Sequence, residues 1–158
     1  MRTGIGYDIH PLLEDRALIL AGVRVPHTRG LIGHSDADVL THSIADALLG
    51  AIGEQDLGSH FPDTDPRYKD ISSIELLREV SGLVSKHGFS LVNIDATIIA
   101  QQPRLSPYFE EMRKILGGVL KVSPQNINIK ATSPEGIGQL GTGEGIASIA
   151  IATLKGPE

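Results

Sequence analysis

At 158 residues the chain has the length of one domain, and a hydrophobic content of 41% is enough to build its core. Aromatics make up only 4% and Trp is absent, which argues against single-strand nucleic-acid binding, since that mode stacks bases on aromatic faces. A formal charge of -5 with no Lys/Arg block argues against a duplex-binding surface, and the absence of Cys removes disulfides and thiolate metal sites.

Residues 3–11 alternate as a strand. Ile5, Tyr7 and Ile9 share one face; Gly4, Gly6, Asp8 and His10 share the other. The two glycines on the polar face admit close backbone approach. The chain goes straight into this strand without a leader segment, and no apolar run nears the ~18 residues that read as a bilayer span. A cytoplasmic location and no membrane partner are therefore expected.

Residues 17–20 and 23–25 flank Ala21-Gly22 and predict a small hairpin. Residues 27–38 are polar and Gly-rich and predict a loop. A helix is predicted over 39–52, with Ser35, Asp36 and Asp38 as candidate caps. Leu40, Ile44, Ala47, Leu48 and Ala51 form its apolar stripe, while Asp38, His42 and Asp46 form a separate polar one. His42 therefore faces something polar.

Gly53 ends that helix. The loop that follows is rich in carboxylates and prolines, and its length suggests function. Ser72 and Ser73 can cap a helix over 74–87, closed by Gly88. Residues 89–100 alternate as a strand, with Val92, Ile94, Ala96 and Ile98 on one face. Pro103 and Pro107 bracket a turn before a helix that Gly117-Gly118 is expected to stop near 116. Strands are predicted over 127–132 and 146–154. The fold class is α/β of the α+β type: a mixed sheet with helices on one face, in a single domain spanning 1–158.

Asp8, His10 and His42 are ligand types that zinc accepts, and three protein ligands leave a position for a reactant. Asp46, one turn beyond His42, is either an outer carboxylate or a solvated residue. The G-x-G-x-x-G run at 136–141 is rejected as a dinucleotide site, because that fingerprint opens a helix and needs an acid about 20 residues on. Here a strand follows and the chain ends too soon. KATSPEG at 130–136 follows a strand and offers Thr132, Ser133 and Glu135, which suit phosphate oxygens and a divalent ion. A plain Ser-Pro turn is the alternative. His34-Ser35 precedes a helix N-terminus, which attracts phosphate, though simple capping by Ser35 also fits. The residues alone favour a metal-dependent enzyme, a phosphohydrolase using the Asp/His/His site being one candidate reaction; the rival from another class is a non-catalytic module stapled by zinc.

GYDIH at 6–10, HSDADVLTH at 34–42, DLG at 56–58, FPDTDP at 61–66, IIAQQPRL at 98–105, KATSPEG at 130–136 and GEGIA at 143–147 run in order along the chain. Together they resemble the 2-C-methyl-D-erythritol 2,4-cyclodiphosphate synthases of the non-mevalonate isoprenoid pathway. The resemblance implies a homotrimer with active sites between subunits. It also implies intramolecular attack of a 2-phosphate on the β-phosphorus of a cytidine diphosphate derivative, with release of CMP.

By position, the resemblance makes Asp8, His10 and His42 the ligands of one Zn2+ per site. Glu135 becomes the ligand of a second ion, Mg2+ or Mn2+, and His34 and Ser133 the transition-state stabilisers. Substrate contacts are implied for Asp8, His10, His34, Ser35, Ser133 and Glu135. Asp56, Leu57 and Gly58 would form the erythritol pocket, with Phe61, Pro62, Asp63, Thr64 and Asp65 as its cover. Ala100, Gln101, Gln102, Pro103, Arg104 and Leu105, with Ala131 and Thr132, would form the cytidine pocket. Gln139 and Thr142 depart from members that carry an aromatic residue and an Arg there, at positions tied to the trimer's central cavity.

Overall fold

The computed structural model describes residues 1–157. The elements are β1 (Arg2–Glu14), β2 (Leu18–Leu20), β3 (Val23–Val25), β4 (Arg29–Leu31), α1 (Val39–Ile52), α2 (Leu57–His60), α3 (Ser73–Lys86), β5 (Ser90–Ile99), α4 (Phe109–Leu120), β6 (Ile127–Thr132), α5 (Gly138–Gly141) and β7 (Gly145–Lys155). Five strands form one sheet in the order β4-β1-β7-β5-β6. Only β5 and β6 pair in parallel, and α4 supplies the crossover between them. β2 and β3 form the separate hairpin expected at Ala21-Gly22.

Helices α1, α3 and α4 cover one face of the sheet, with α1 against β1 and β7, and α3 against α1 and α4. The core between them includes Leu40, Ile44, Leu48, Ile94, Ile98, Met112 and Leu116, all buried. β7 turns Ser148, Ala150, Ala152 and Leu154 to this side. These are mostly small residues, so α1 sits close.

Close approach is sharpest at β1. A Cβ on Gly4 would lie 2.1 Å from the Ala47 carbonyl oxygen, and one on Gly6 would lie 1.9 Å from that of Ser43. Both strand positions must therefore be glycine for the backbones of β1 and α1 to touch. The apolar face of β1 points the opposite way. Ile5 is 68% exposed and Tyr7 53%, and both stand beside the exposed Ile151 and Ile149 on β7. The sheet thus carries an uncovered apolar face opposite its helices.

The Asp38 side chain anchors the start of α1. Its carboxylate accepts the Thr41 N–H at 3.0 Å and the Thr41 hydroxyl at 2.7 Å. It also accepts the Ala21 and Gly22 N–H groups of the hairpin turn, at 2.9 and 2.8 Å. Asp38 is fully buried, and burial pushes its carboxyl up. Asp38, not Ser35, is therefore the cap, and its carboxylate occupies the N-terminus of α1.

Three sequence expectations are corrected. The predicted 27–38 loop contains β4, which pairs with Leu12–Glu14 of β1; three residues are too few to show alternation. Helix α4 runs through Gly117-Gly118 to Leu120 and ends at Lys121 with φ 57°. Gly117 serves contact instead of termination, since its Cβ would lie 2.9 Å from the Val122 carbonyl oxygen. The segment 136–141 contains one short helical turn, α5, before β7. Among the described residues, no helix is long and apolar enough to cross a membrane.

Candidate active site

β1 and α1, in backbone contact, bring together side chains that lie 34 positions apart. Asp8 Oδ2 is 2.9 Å from His42 Nδ1 and 3.0 Å from His10 Nε2. The two ring nitrogens are 3.4 Å apart. One ligand atom from each of the three residues therefore falls within a sphere suited to a metal ion.

The protonation pattern fits that use. His10 Nδ1 lies 3.1 Å from the Ile32 carbonyl oxygen, which can only accept, so Nδ1 is a donor and Nε2 is the nitrogen that faces Asp8 and would turn a lone pair to a bound cation. Gly33 leaves room for the ring; a Cβ there would meet His10 Cε1 at 2.9 Å. Burial pushes the Asp8 carboxyl up, but hydrogen bonds and charge from His10 and His42 outweigh it and hold Asp8 far below the usual carboxylate range. Burial pushes the His42 imidazole down, and the bond to Asp8 and its charge outweigh that, raising it. The cluster attracts positive charge, which a proton or a divalent cation satisfies.

The cluster opens on a cavity of about 460 Å³. His34, Ser35, Asp56, Leu57, Gly58, Phe61, Pro62 and Asp63 line it along with Asp8, His10 and His42. The expected erythritol pocket is therefore contiguous with the expected metal ligands. Asp56 caps α2 by accepting the Ser59 N–H at 2.9 Å. Thr64 and Asp65 are not on the cavity wall. Asp65 instead accepts the His34 Nε2–H on its carbonyl at 3.3 Å and pairs its carboxylate with Arg67 at 2.7 Å.

Asp46 also lines the cavity but is no outer carboxylate for His42. Its Oδ1 accepts the Leu57 N–H at 2.7 Å, which ties α2 to α1, and burial pushes its carboxyl up. Tyr68 and Leu76 line the same cavity and carried no sequence signal.

The expected cytidine residues lie elsewhere. Ala100, Gln101, Gln102, Pro103, Arg104 and Leu105, with Ala131, Thr132 and Ser133, line a second cavity of about 510 Å³. Ser106 and Phe109 complete it, two residues not anticipated. Ser133 accepts the Glu135 N–H at 2.9 Å, and Gln101 accepts the Gly136 N–H at 3.1 Å, which folds the KATSPEG turn against this cavity. Glu135 has φ 56°, in the left-handed region that non-glycine residues seldom adopt. The two cavities share no lining residue. Ser133 and Glu135 are not on the wall of the cavity beside Asp8, His10 and His42.

Comparison with known proteins gives one family. The YgbB family model matches residues 1–155. The chain is 54% identical over 154 residues to the 2-C-methyl-D-erythritol 2,4-cyclodiphosphate synthase of Pelotomaculum thermopropionicum, covering 98% of this chain and 95% of that one. It is similarly 54% identical to the synthase of Geobacillus kaustophilus, covering 98% of each. Among solved structures it resembles the bifunctional IspDF of Campylobacter jejuni, at 42% identity and a TM-score of 0.95. That match covers 99% of this chain and 42% of the longer one. The CDP complex of IspF from Plasmodium falciparum matches at 32% identity and a TM-score of 0.87, covering 99% of this chain and 97% of the other.

Proposed function

The chain belongs to the YgbB family, and on that premise we propose that it closes 4-diphosphocytidyl-2-C-methyl-D-erythritol 2-phosphate into 2-C-methyl-D-erythritol 2,4-cyclodiphosphate. An oxygen of the 2-phosphate bonds to the β-phosphorus, the bond from that phosphorus to the bridging oxygen breaks, and CMP leaves with the electron pair. The observation that carries this reading is the convergence of Asp8, His10 and His42 beside the cavity lined by Asp56 to Asp63.

The nucleophile is a phosphate oxygen, already ionised near neutral pH, so the residues need supply no strong base. Positioning and charge stabilisation are what remain. His34 and Ser133 are suited to donate hydrogen bonds to oxygens that gain charge. Asp56 and Gly58 would hold the erythritol hydroxyls, and the cavity at 100–105 would hold the cytosine and ribose. When bound, divalent ions supply Lewis-acid polarisation of the diphosphate; Asp8, His10 and His42 would hold a zinc-type ion, and Glu135 a Mg2+- or Mn2+-type ion.

The deciding experiment is a product assay on purified protein with the substrate, Zn2+ and Mg2+, followed by phosphorus NMR. A cyclic diphosphate and CMP in equal amounts are expected. Release of inorganic phosphate would sink the reading in favour of a phosphohydrolase, and no turnover in zinc-loaded protein would favour a structural module. Glu135→Gln is expected to lower turnover by ~10²-fold, the scale of losing one charge-stabilising group. Its zinc content by atomic absorption should match wild type, and equal loss of zinc would argue against a separate second-metal position.

We further read the functional form as a trimer. A chain that parts its two half-sites needs a neighbour to join them. The uncovered face of Ile5, Tyr7, Ile9, Ile149 and Ile151 offers the contiguous apolar patch such contacts use. Ile5 is exposed in the single chain, so Ile5→Glu is expected to leave the subunit fold intact by circular dichroism. The same variant should run as a monomer in light scattering and lose nearly all turnover. A trimeric or fully active variant would contradict this assembly.

A further inference from the structure

A neutral imidazole carries its proton on one nitrogen only, so His42 must keep Nδ1 free of it for that atom to face a cation. The surroundings of Nε2 decide the matter. Ser73 Oγ lies 2.7 Å from His42 Nε2, and Ser35 Oγ lies 3.2 Å from it. Ser73 is the first residue of α3 and is fully buried. Its hydroxyl also donates a hydrogen bond to Asp36 Oδ1.

Asp36 is already committed as an acceptor. Its Oδ2 takes the Ser73 N–H at 3.1 Å, and its Oδ1 takes the Asp38 N–H at 3.2 Å. Ser73 has one hydroxyl proton, and the carboxylate is the partner that can only receive it. The Ser73 oxygen then has only lone pairs to offer His42, so Nε2 must be the donor. Ser35 does not reverse this. Its oxygen accepts the Ala37 N–H at 3.2 Å, and its own proton can point to Ser73 Oγ at 3.4 Å.

We propose that Ser73, locked by Asp36, is a positioning residue that fixes His42 as the Nε2–H tautomer and aims its Nδ1 lone pair between Asp8 and His10. The proposal rests on reading Asp8, His10 and His42 as a metal centre. At His10 the same task falls to a backbone carbonyl, which substitution cannot remove. At His42 it falls to a side chain, and through it to the point where the loop before α1 meets the start of α3. Such outer partners orient a metal-binding imidazole and raise its basicity.

The test is zinc affinity by chelator competition, with folding checked by circular dichroism. Wild type is expected to bind one Zn2+ per chain. Ser73→Ala should bind it ~10- to 100-fold more weakly, and Ser73→Thr, which keeps the hydroxyl, should recover most of that loss. Nitrogen-15 NMR of the zinc-loaded wild type should show a His42 Nε2–H protected from exchange with water. Wild-type affinity in folded Ser73→Ala would overturn the proposal, as would an unprotected Nε2 in wild type. If Ser73→Ala does not fold, the Ser73→Thr affinity and the wild-type NMR decide. Folded wild type that takes up no zinc at all would instead overturn the metal reading itself, and the proposal with it.

Discussion

His42→Ala is expected to abolish measurable CMP release while the chain stays folded. The side chain supplies one of the three candidate ligand atoms, its Nδ1 lying 2.9 Å from Asp8 Oδ2. Its loss leaves two ligands, Asp8 and His10, on one strand and none on the helix. A zinc site with two protein ligands is not retained against competing chelators, so metal content should fall with activity. Turnover should drop by at least ~10²–10³-fold, the range for removing a central charge-stabilising group. The fold should survive, because α1 is held by its apolar contacts and by the Asp38 cap. Zinc content, turnover and the melting curve, measured on one preparation, check all three statements. A variant that keeps full activity would remove the metal role from His42.

Gly6→Ala should be the more disruptive change to stability, although it adds one methyl group. The new Cβ would sit 1.9 Å from the Ser43 carbonyl oxygen and 2.7 Å from the Ala47 nitrogen. Both obstacles are backbone of a helix buried between the sheet and α3, so neither can rotate away. The strand or the helix must shift by about an ångström or more. Overpacking of this kind costs ~3 kcal/mol or above when backbone has to move. The shift also opens the gap between Asp8, two residues along β1, and His42 on α1. An ångström of misplacement costs ~10²-fold in rate, so activity should fall even in the fraction that remains folded. Gly118→Ala is the control. Its Cβ would meet nothing within 4 Å, and it lies inside α4, so a gain of ~0.5–1 kcal/mol is expected from helix propensity. Urea unfolding of both variants distinguishes packing at Gly6 from a general intolerance of alanine for glycine.

The candidate metal-binding group was legible because two periodicities expose it. Period two put Asp8 and His10 on one face of β1, and the separate polar stripe of α1 put His42 off the apolar seam. The helix bounds 39–52 follow from its apolar stripe and from Asp38. The pocket assignments came from likeness of motifs, and no property of FPDTDP by itself points to a cavity. Ser73 was readable only as a possible cap. Its hydrogen bond to His42 spans 31 positions and depends on how α3 docks, which local pattern does not encode. The double glycine after Leu116 misled for a related reason: glycine looks the same in sequence whether it ends a helix or lets a neighbouring loop press against it. The outward direction of Ile5 and Tyr7 was equally hidden, since alternation tells which residues share a face but not which face a helix will cover.

If neighbouring copies join the two cavities, as proposed, their separation within one chain carries a cost at low abundance. Folding alone would then deliver a chain that is still idle, because the cavity proposed for the nucleotide and the cavity proposed for the sugar stay apart until copies meet. Output would then follow how many rings have closed, not how much polypeptide has been made, and dilution would silence the enzyme without unfolding any of it.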